Sequence, residues 1–223
     1  MHHFAVYDMD KTITYAPTWT SFLVRTAAVE APWRLALLPV AAGATLGYVF
    51  GLLSRARLKE ITHALLLGRA IPEATVARAA ARFADRIVES GIYSGAITQI
   101  AEDRAAGNRI VMATASYGFY AAAIADRLGF EAVIATGVVR EHGMIRAQIA
   151  GENCYGRAKL AMIEAWMAGQ GIARGDAVVR FYSDHVSDEP SLEWADVAIA
   201  VNPHTQLRAM AWSRGWRVED WPK

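Results

Sequence analysis

Cysteine is almost absent from this chain of 223 residues; only Cys154 occurs. One cysteine cannot form an intrachain disulfide, so a reducing compartment is expected. A charge surplus is missing too. Twenty-three lysines and arginines oppose 22 acids, a formal net charge of +1. That balance excludes a dedicated nucleic-acid binder, which carries a basic excess gathered in a patch. No basic stretch precedes the first apolar run, Phe4-Ala5-Val6-Tyr7, which stops at Asp8. A secretory leader is therefore not expected, and the cytoplasm is the expected location. Internal repeats and low-complexity linkers are lacking as well. What is abundant is apolar: 54% hydrophobic against 20% charged, too much for disorder and ample for a core. At ~150 residues per domain, the length allows one large domain or one domain carrying an insert.

Phe4 to Tyr7 reads as a buried strand, a short run with β-formers that gives way to polar residues from Asp8 to Thr12. From Trp19 to about Val88 no comparable strand recurs, and Val76, Ala79, Ala80, Phe83 and Ile87 fall at helical spacing. That whole stretch is expected to be helical. After Ser90-Gly91 strands and helices alternate. Strands are expected at 109–114, 132–136, 177–182 and 197–201, with a hairpin at 138–149 turning on His142-Gly143 and a last strand at 216–221. Helices are expected at 96–106, 119–128, 158–168 and 205–213, ended by glycines such as Gly107 and Gly129. This alternation predicts an α/β fold, a Rossmann-like doubly wound parallel sheet with helices on both faces. Residues 13–92 then form an all-helical insertion, a cap domain, in a core built from 1–12 and 93–223.

Leu35 to Ser54 carries no charge and lies between Arg34 and Arg55. Its length meets the criterion for a membrane span. Pro39, Gly43, Gly47 and Gly51 argue against one. Position argues more strongly: a span would separate the first strand from its sheet, with no second apolar run to bring the chain back. A buried hairpin or helix of the insertion is expected instead. The glycines, four apart, share a helix face that permits close backbone contact. Intramolecular packing, a homodimer and contact with a membrane surface all stay open as its use.

In a sheet of this kind, ligands bind beyond the carboxyl ends of the strands. The polar residues there are Asp8 and Asp10, then Thr114 and Ser116, then Ser183, Asp184 and Asp188; Lys159 lies in the first turn of the helix after Gly156. Aspartates sharing one crevice repel each other unless a cation neutralises them. Without a Cys/His set for zinc, a hard, oxygen-bound ion such as Mg2+ fits. Thr114 and Lys159 donate hydrogen bonds, and a metal plus donors facing one space describes a phosphoryl site. One carboxylate can then act as nucleophile, while its neighbour two residues on exchanges protons with the leaving oxygen and with water.

Asp8-Met9-Asp10-Lys11-Thr12 after an apolar strand resembles the first motif of the haloacid-dehalogenase-like phosphatases. Ile110 to Thr114 resembles the second, Lys159 the third, and Asp184 to Pro190 with Asp188 the fourth, in the family's order. Ala200-Val201-Asn202-Pro203, Leu207-Arg208 and Arg214-Gly215-Trp216, with the helical insertion, resemble the phosphoserine-phosphatase-like branch. The resemblance covers essentially the full chain. It implies a Mg2+-dependent phosphomonoesterase that acts on a small phosphorylated metabolite through an aspartyl-phosphate. Asp8 is then the nucleophile and Asp10 the general acid/base. Asp8, the Asp10 backbone carbonyl and Asp184 would bind the metal, supported by Asp188, while Thr114 and Lys159 hold the phosphoryl group. A phosphotransferase using the same intermediate is the enzymatic alternative; a non-catalytic protein that binds a membrane or a partner is the other.

Plainer roles compete for several of these residues. Asp188 is equally placed to cap a helix starting at Glu189-Pro190, and Ser116 is expected to cap the helix near Phe119. Cys154 is expected to be inert, and His185 and His204 to be surface imidazoles. Arg55, Arg57, Lys59 and His63 either meet an anionic substrate or face solvent. Tyr15 and Trp19 either face a cationic head group or pack in the core. From Ile13 to Thr20 there is no acid, and the next is Glu30. This departs from the pattern of phosphoserine hydrolysis, which needs a carboxylate for the substrate ammonium.

Overall fold

A computed structural model describes all 223 residues. The chain begins with β1 (His2–Tyr7) and enters an insertion of α1 (Trp19–Glu30), a 3-10 turn at Pro32–Leu37, α2 (Leu38–Val49), α3 (Arg55–Leu66), β2 (Ala70–Pro72) and α4 (Glu73–Ser90). It continues through α5 (Ser94–Ala105), β3 (Arg109–Tyr117), α6 (Gly118–Arg127), β4 (Ala132–Glu141), β5 (Met144–Ala150) and α7 (Arg157–Gly169). It closes with β6 (Ala177–Ser183), α8 (Glu189–Trp194), β7 (Val197–Val201), α9 (Thr205–Arg214) and β8 (Arg217–Glu219).

One eight-stranded sheet has the order β2-β5-β4-β3-β1-β6-β7-β8. From β4 to β8 neighbouring strands are parallel, while β5 and β2 are antiparallel at one edge. The chain winds one way from β1 through β3 and β4, then crosses back to β6. A crevice therefore opens beyond the carboxyl end of β1, where the winding reverses.

Side chains alternate across this sheet as strand geometry requires. Ala5, Tyr7, Ile110 and Met112 join one buried cluster, while Phe4, Val6, Val111 and Ala113 join the other. The insertion shares the first: Phe22 and Phe83 pack on Tyr120, with ring centroids 4.7 and 6.0 Å away. α4 is thus bound to the sheet layer through a one-sided apolar stripe of Val76, Ala79, Ala80, Phe83 and Ala84.

Three expectations need correction. The insertion is not helical throughout, because Ala70 to Pro72 pairs antiparallel with β5. Proline lacks the N–H that would extend such a strand, so the pairing stays short and at the sheet edge. β4 is one long strand rather than a strand followed by a separate hairpin arm. It leaves β3 after Thr136 and takes up β5 from Gly137, where a Cβ would lie 2.9 Å from the Ala150 carbonyl oxygen.

The third correction concerns Leu35 to Ser54, which is largely exposed rather than buried. It forms the end of the 3-10 turn and α2, in which only Ala41 is buried. A helix whose only polar side chains are Thr45 and Tyr48 has no polar side to orient it, and the small insertion offers chiefly α3 and the turn to pack on. The glycines make no close helix contact: nothing lies near Gly43, and Gly51 ends the segment with φ 75°. No helix of the chain is long and apolar enough to cross a membrane.

Candidate active site

Asp8 is fixed by the sheet itself. Its N–H donates to the Tyr182 carbonyl at 2.9 Å, prolonging the β1–β6 ladder by one residue. Its Oδ1 accepts from Lys159 Nζ at 2.8 Å, and the same ammonium reaches Asp188 Oδ2 at 2.6 Å. Ser183 Oγ, at the end of β6, also donates to Asp188 Oδ2 at 2.8 Å. Asp184 is tied to the first motif, since its N–H donates to Thr12 Oγ1 at 3.0 Å. Lys11 between them has φ 64°, a left-handed conformation costing roughly 1–2 kcal/mol for a side-chain-bearing residue. Strain of this kind gathers where the backbone must aim functional groups.

Asp10 is held apart from this group. Its Oδ1 accepts from the Thr18 N–H and Oγ1, both at 2.7 Å, and its Oδ2 accepts from Ser116 Oγ at 2.7 Å. Tyr120 OH donates to Ser116 Oγ at 2.5 Å and extends the network into the core. Thr114 Oγ1 accepts from the Ser116 N–H at 3.1 Å, where the β3–β4 pairing shifts register between Thr114 and Tyr117. The structure thus brings Asp8, Lys159 and Asp188 into direct contact. Asp184 is tied to Thr12 and Asp10 to Ser116 and Thr18, while the Thr114 hydroxyl bonds only the Ser116 N–H and none of these acids.

Burial drives the electrostatics here. It pushes the Asp8 carboxyl above the usual carboxylate range, with Lys159 pulling it down and Asp188 and Asp184 pushing it further up. Asp184 is pushed up to about 7 by burial and then by Asp188. Burial opposes the Lys159 ammonium, but Asp188 and Asp8 outweigh it and hold the amine above the ordinary lysine range. One lysine among Asp8, Asp184 and Asp188 leaves a carboxylate excess, and Asp188 Oδ1 is buried without any hydrogen-bond partner. Both observations fit a bound cation. No three acid, histidine or cysteine side chains converge as a complete metal cage. Both side-chain oxygens of Asp10 are engaged, which leaves its backbone carbonyl as the atom free to contribute.

Several partners were not legible from motifs. Ser116 does not cap α6; its hydroxyl serves Asp10 instead. Asp188 sits at the N-cap position of α8 without capping it, and its side chain turns to Lys159. Lys59 of α3 is buried, neither solvated nor open to a ligand. Its Nζ donates to the Ala115 carbonyl at 2.6 Å and to Asn153 Oδ1 at 2.8 Å, and burial lowers its pKa to about 7. It therefore pins the insertion onto the residue between Thr114 and Ser116. His63, one turn on, is fully buried with neither ring nitrogen partnered, and burial lowers it to about 4. Trp19 joins the aromatic packing around Tyr117 and Tyr120. His204 is exposed and lies 3.5 Å from Asp184 Oδ2, whereas His185 is half-buried and binds the Ser187 N–H. Cys154 is buried and its thiol is pushed up to about 12, which fits an unreactive residue.

The model of the haloacid dehalogenase-like hydrolases matches residues 5–193. The chain belongs to this family. The phosphoserine phosphatase SerB1 of Mycobacterium tuberculosis is 30% identical over 138 residues, 61% of this chain and 44% of that protein. A probable phosphatase of the same organism is 33% identical over 132 residues, 59% of this chain and 45% of its own. The matched stretch thus spans less than half the length of these curated relatives. A Bordetella pertussis protein of unknown function has the same fold with a TM-score of 0.88, 28% identity and 99% of each chain covered. A substrate-bound phosphoserine phosphatase superposes with a TM-score of 0.63 at 19% identity, over 99% of this chain and 93% of the other. Within this haloacid dehalogenase-like fold, Asp8, Lys159 and Asp188 meet beyond the carboxyl end of β1, with Asp184 tied to Thr12.

Proposed function

We propose that this chain is a Mg2+-dependent phosphomonoesterase that cleaves a small phosphorylated metabolite through an aspartyl-phosphate on Asp8. In this reading residues 1–12 and 93–223 are the catalytic core and 13–92 the cap, and the enzyme works in the cytoplasm. The observation that carries it is the division of the two first-motif carboxylates. Asp8 faces the Lys159 ammonium at 2.8 Å, while Asp10, two residues on, is held separately by Ser116 and Thr18. A nucleophile and a proton carrier need such different settings.

Asp8, Asp184 and the Asp10 carbonyl would hold Mg2+, with Asp188 behind them. Bound there, the ion supplies positive charge that keeps Asp8 ionised and offsets charge on the phosphoryl group. An Asp8 oxygen attacks phosphorus, the ester P–O bond breaks, and the leaving oxygen takes its proton from Asp10. Water then gives a proton to Asp10 and attacks phosphorus, which releases inorganic phosphate and restores Asp8. Lys159 and Thr114 offset and orient the phosphoryl oxygens throughout. Ser116 and Thr18 keep Asp10 aimed at the leaving side.

The substrate side favours esters without an ammonium group. No acid occurs from Lys11 to Val29, and Glu30 is spent on Arg82 at the surface, 2.8 Å away. Replacement Asp8→Asn tests the proposal: turnover of an aryl phosphate with Mg2+ should vanish while the circular dichroism spectrum is unchanged. Wild-type turnover in that variant would refute Asp8 as nucleophile. Product analysis with added alcohols distinguishes hydrolysis from transfer to an acceptor.

A further inference from the structure

We propose that the exposed apolar face formed by the 3-10 turn, α2 and the α2–α3 connection docks on the surface of an anionic lipid bilayer. Eleven large hydrophobic residues of the chain are exposed, and eight of them fall between Val29 and Leu52. The rest, Met1, Ile97 and Trp212, are scattered single residues of the kind every soluble surface carries. The concentration is greatest at the α2–α3 connection, where Phe50 is 75% and Leu52 79% exposed. Exposed apolar side chains concentrated in one segment mark an interaction site.

Charge identifies the occupant. From Ala31 to Lys59 there is no acid, while Arg34, Arg55 and Arg57 stand at the two ends of the uncharged run. Arg34 lies over the Trp33 ring at 4.6 Å, and Arg55 lies over Tyr155 at 4.2 Å. Aromatic and cationic side chains edging an apolar face match the headgroup layer of a membrane, where rings and cations sit above buried aliphatic groups. A second copy of the chain matches less well. A twofold contact sets the same patch against itself, which would face arginines with arginines and provide no carboxylate from within the patch. An anionic bilayer covers the apolar face and attracts the exposed Arg57, whose one partner in the chain is Glu60 at the surface, 3.1 Å away.

Geometry excludes a span and favours a surface position. α2 has 12 residues, about 18 Å at helical rise, well short of the ~30 Å hydrocarbon core. Pro39 in its first turn and Gly51 just beyond it close the element at both ends. The segment leads straight into α3, whose Lys59 holds Ala115 beside Thr114. A docked chain would therefore carry its phosphoryl site at the membrane surface on one rigid connection.

Sedimentation of the full chain with vesicles tests this. It should pellet with vesicles of phosphatidylcholine and phosphatidylglycerol in equal parts. Binding should be about tenfold weaker on pure phosphatidylcholine and should fall as salt rises. The double variant Phe50→Ser, Leu52→Ser should lose about tenfold in vesicle affinity with unchanged circular dichroism and aryl phosphate turnover. No pelleting with anionic vesicles, or undiminished binding by the variant, would overturn the proposal. So would a wild-type dimer that becomes monomeric in the variant while neither protein binds vesicles, because the face would then belong to a second copy.

Discussion

The two halves of the insertion are both rich in apolar residues, yet one is locked to the sheet and the other stands clear of it. α4 places Val76, Ala79, Ala80, Phe83 and Ala84 on one side and buries all of them. α2 is the more apolar helix and buries only Ala41. The difference teaches that one-sidedness, not total hydrophobicity, decides what enters a core. A striped helix has a lowest-energy orientation, whereas a uniformly apolar one has none until something outside the chain covers it.

Substitutions in the two halves should separate accordingly. Phe83→Ala removes a ring packed on Phe22 and Tyr120 and should cost about 3–5 kcal/mol in urea unfolding. A cost below 1 kcal/mol would mean that α4 is not part of the sheet's core. His63 supplies the next largest effect. Its folded pKa of about 4 lies below the ordinary 6.5, so its neutral form stabilises the fold above pH 6.5 and that contribution is lost as pH falls towards 4. The loss approaches about 3 kcal/mol. His63→Phe should flatten the unfolding free energy over that interval, and an unaltered pH profile would show that His63 is not buried neutral. Lys59→Met removes the ammonium from the Ala115 carbonyl and Asn153 Oδ1 and leaves the single hydroxyl proton of Thr136 Oγ1 to serve both. It should cost about 1–3 kcal/mol and lower kcat/KM for an aryl phosphate by loosening the end of β3 from Thr114 to Ser116. Unchanged kinetics would restrict Lys59 to holding the insertion in place. Phe50→Ser should shift stability by less than ~0.5 kcal/mol, and a loss comparable to that of Phe83→Ala would erase the contrast.

The motifs were legible because each pairs a residue type with a strand end. Asp8 and Asp10 follow β1, Thr114 lies near the end of β3, and Asp184 follows β6. Parallel strands present those ends along one edge, so position in the chain translates into position in space. Lys159 was legible only through its place in the series, since a lysine near a helix start otherwise faces solvent. The roles of Ser116, Thr18 and Lys59 were not readable, because each depends on how the insertion lies over the sheet. α4 was readable from its stripe. The exposure of Leu35 to Ser54 was not, because a run without charged residues says that water is disfavoured without saying what replaces it. The continuity of β4 was hidden for a different reason: Gly137 resembles a break in the pattern, and only the close approach of the Ala150 carbonyl explains it.

Covalent capture offers the most direct trial of the chemistry. Acid quenching during turnover of an aryl phosphate with Mg2+, followed by proteolysis and mass spectrometry, should find one phosphoryl group on the peptide containing Asp8 and none in Asp8→Asn. A phosphoryl group on any other residue, or none during active turnover, would contradict catalysis by Asp8.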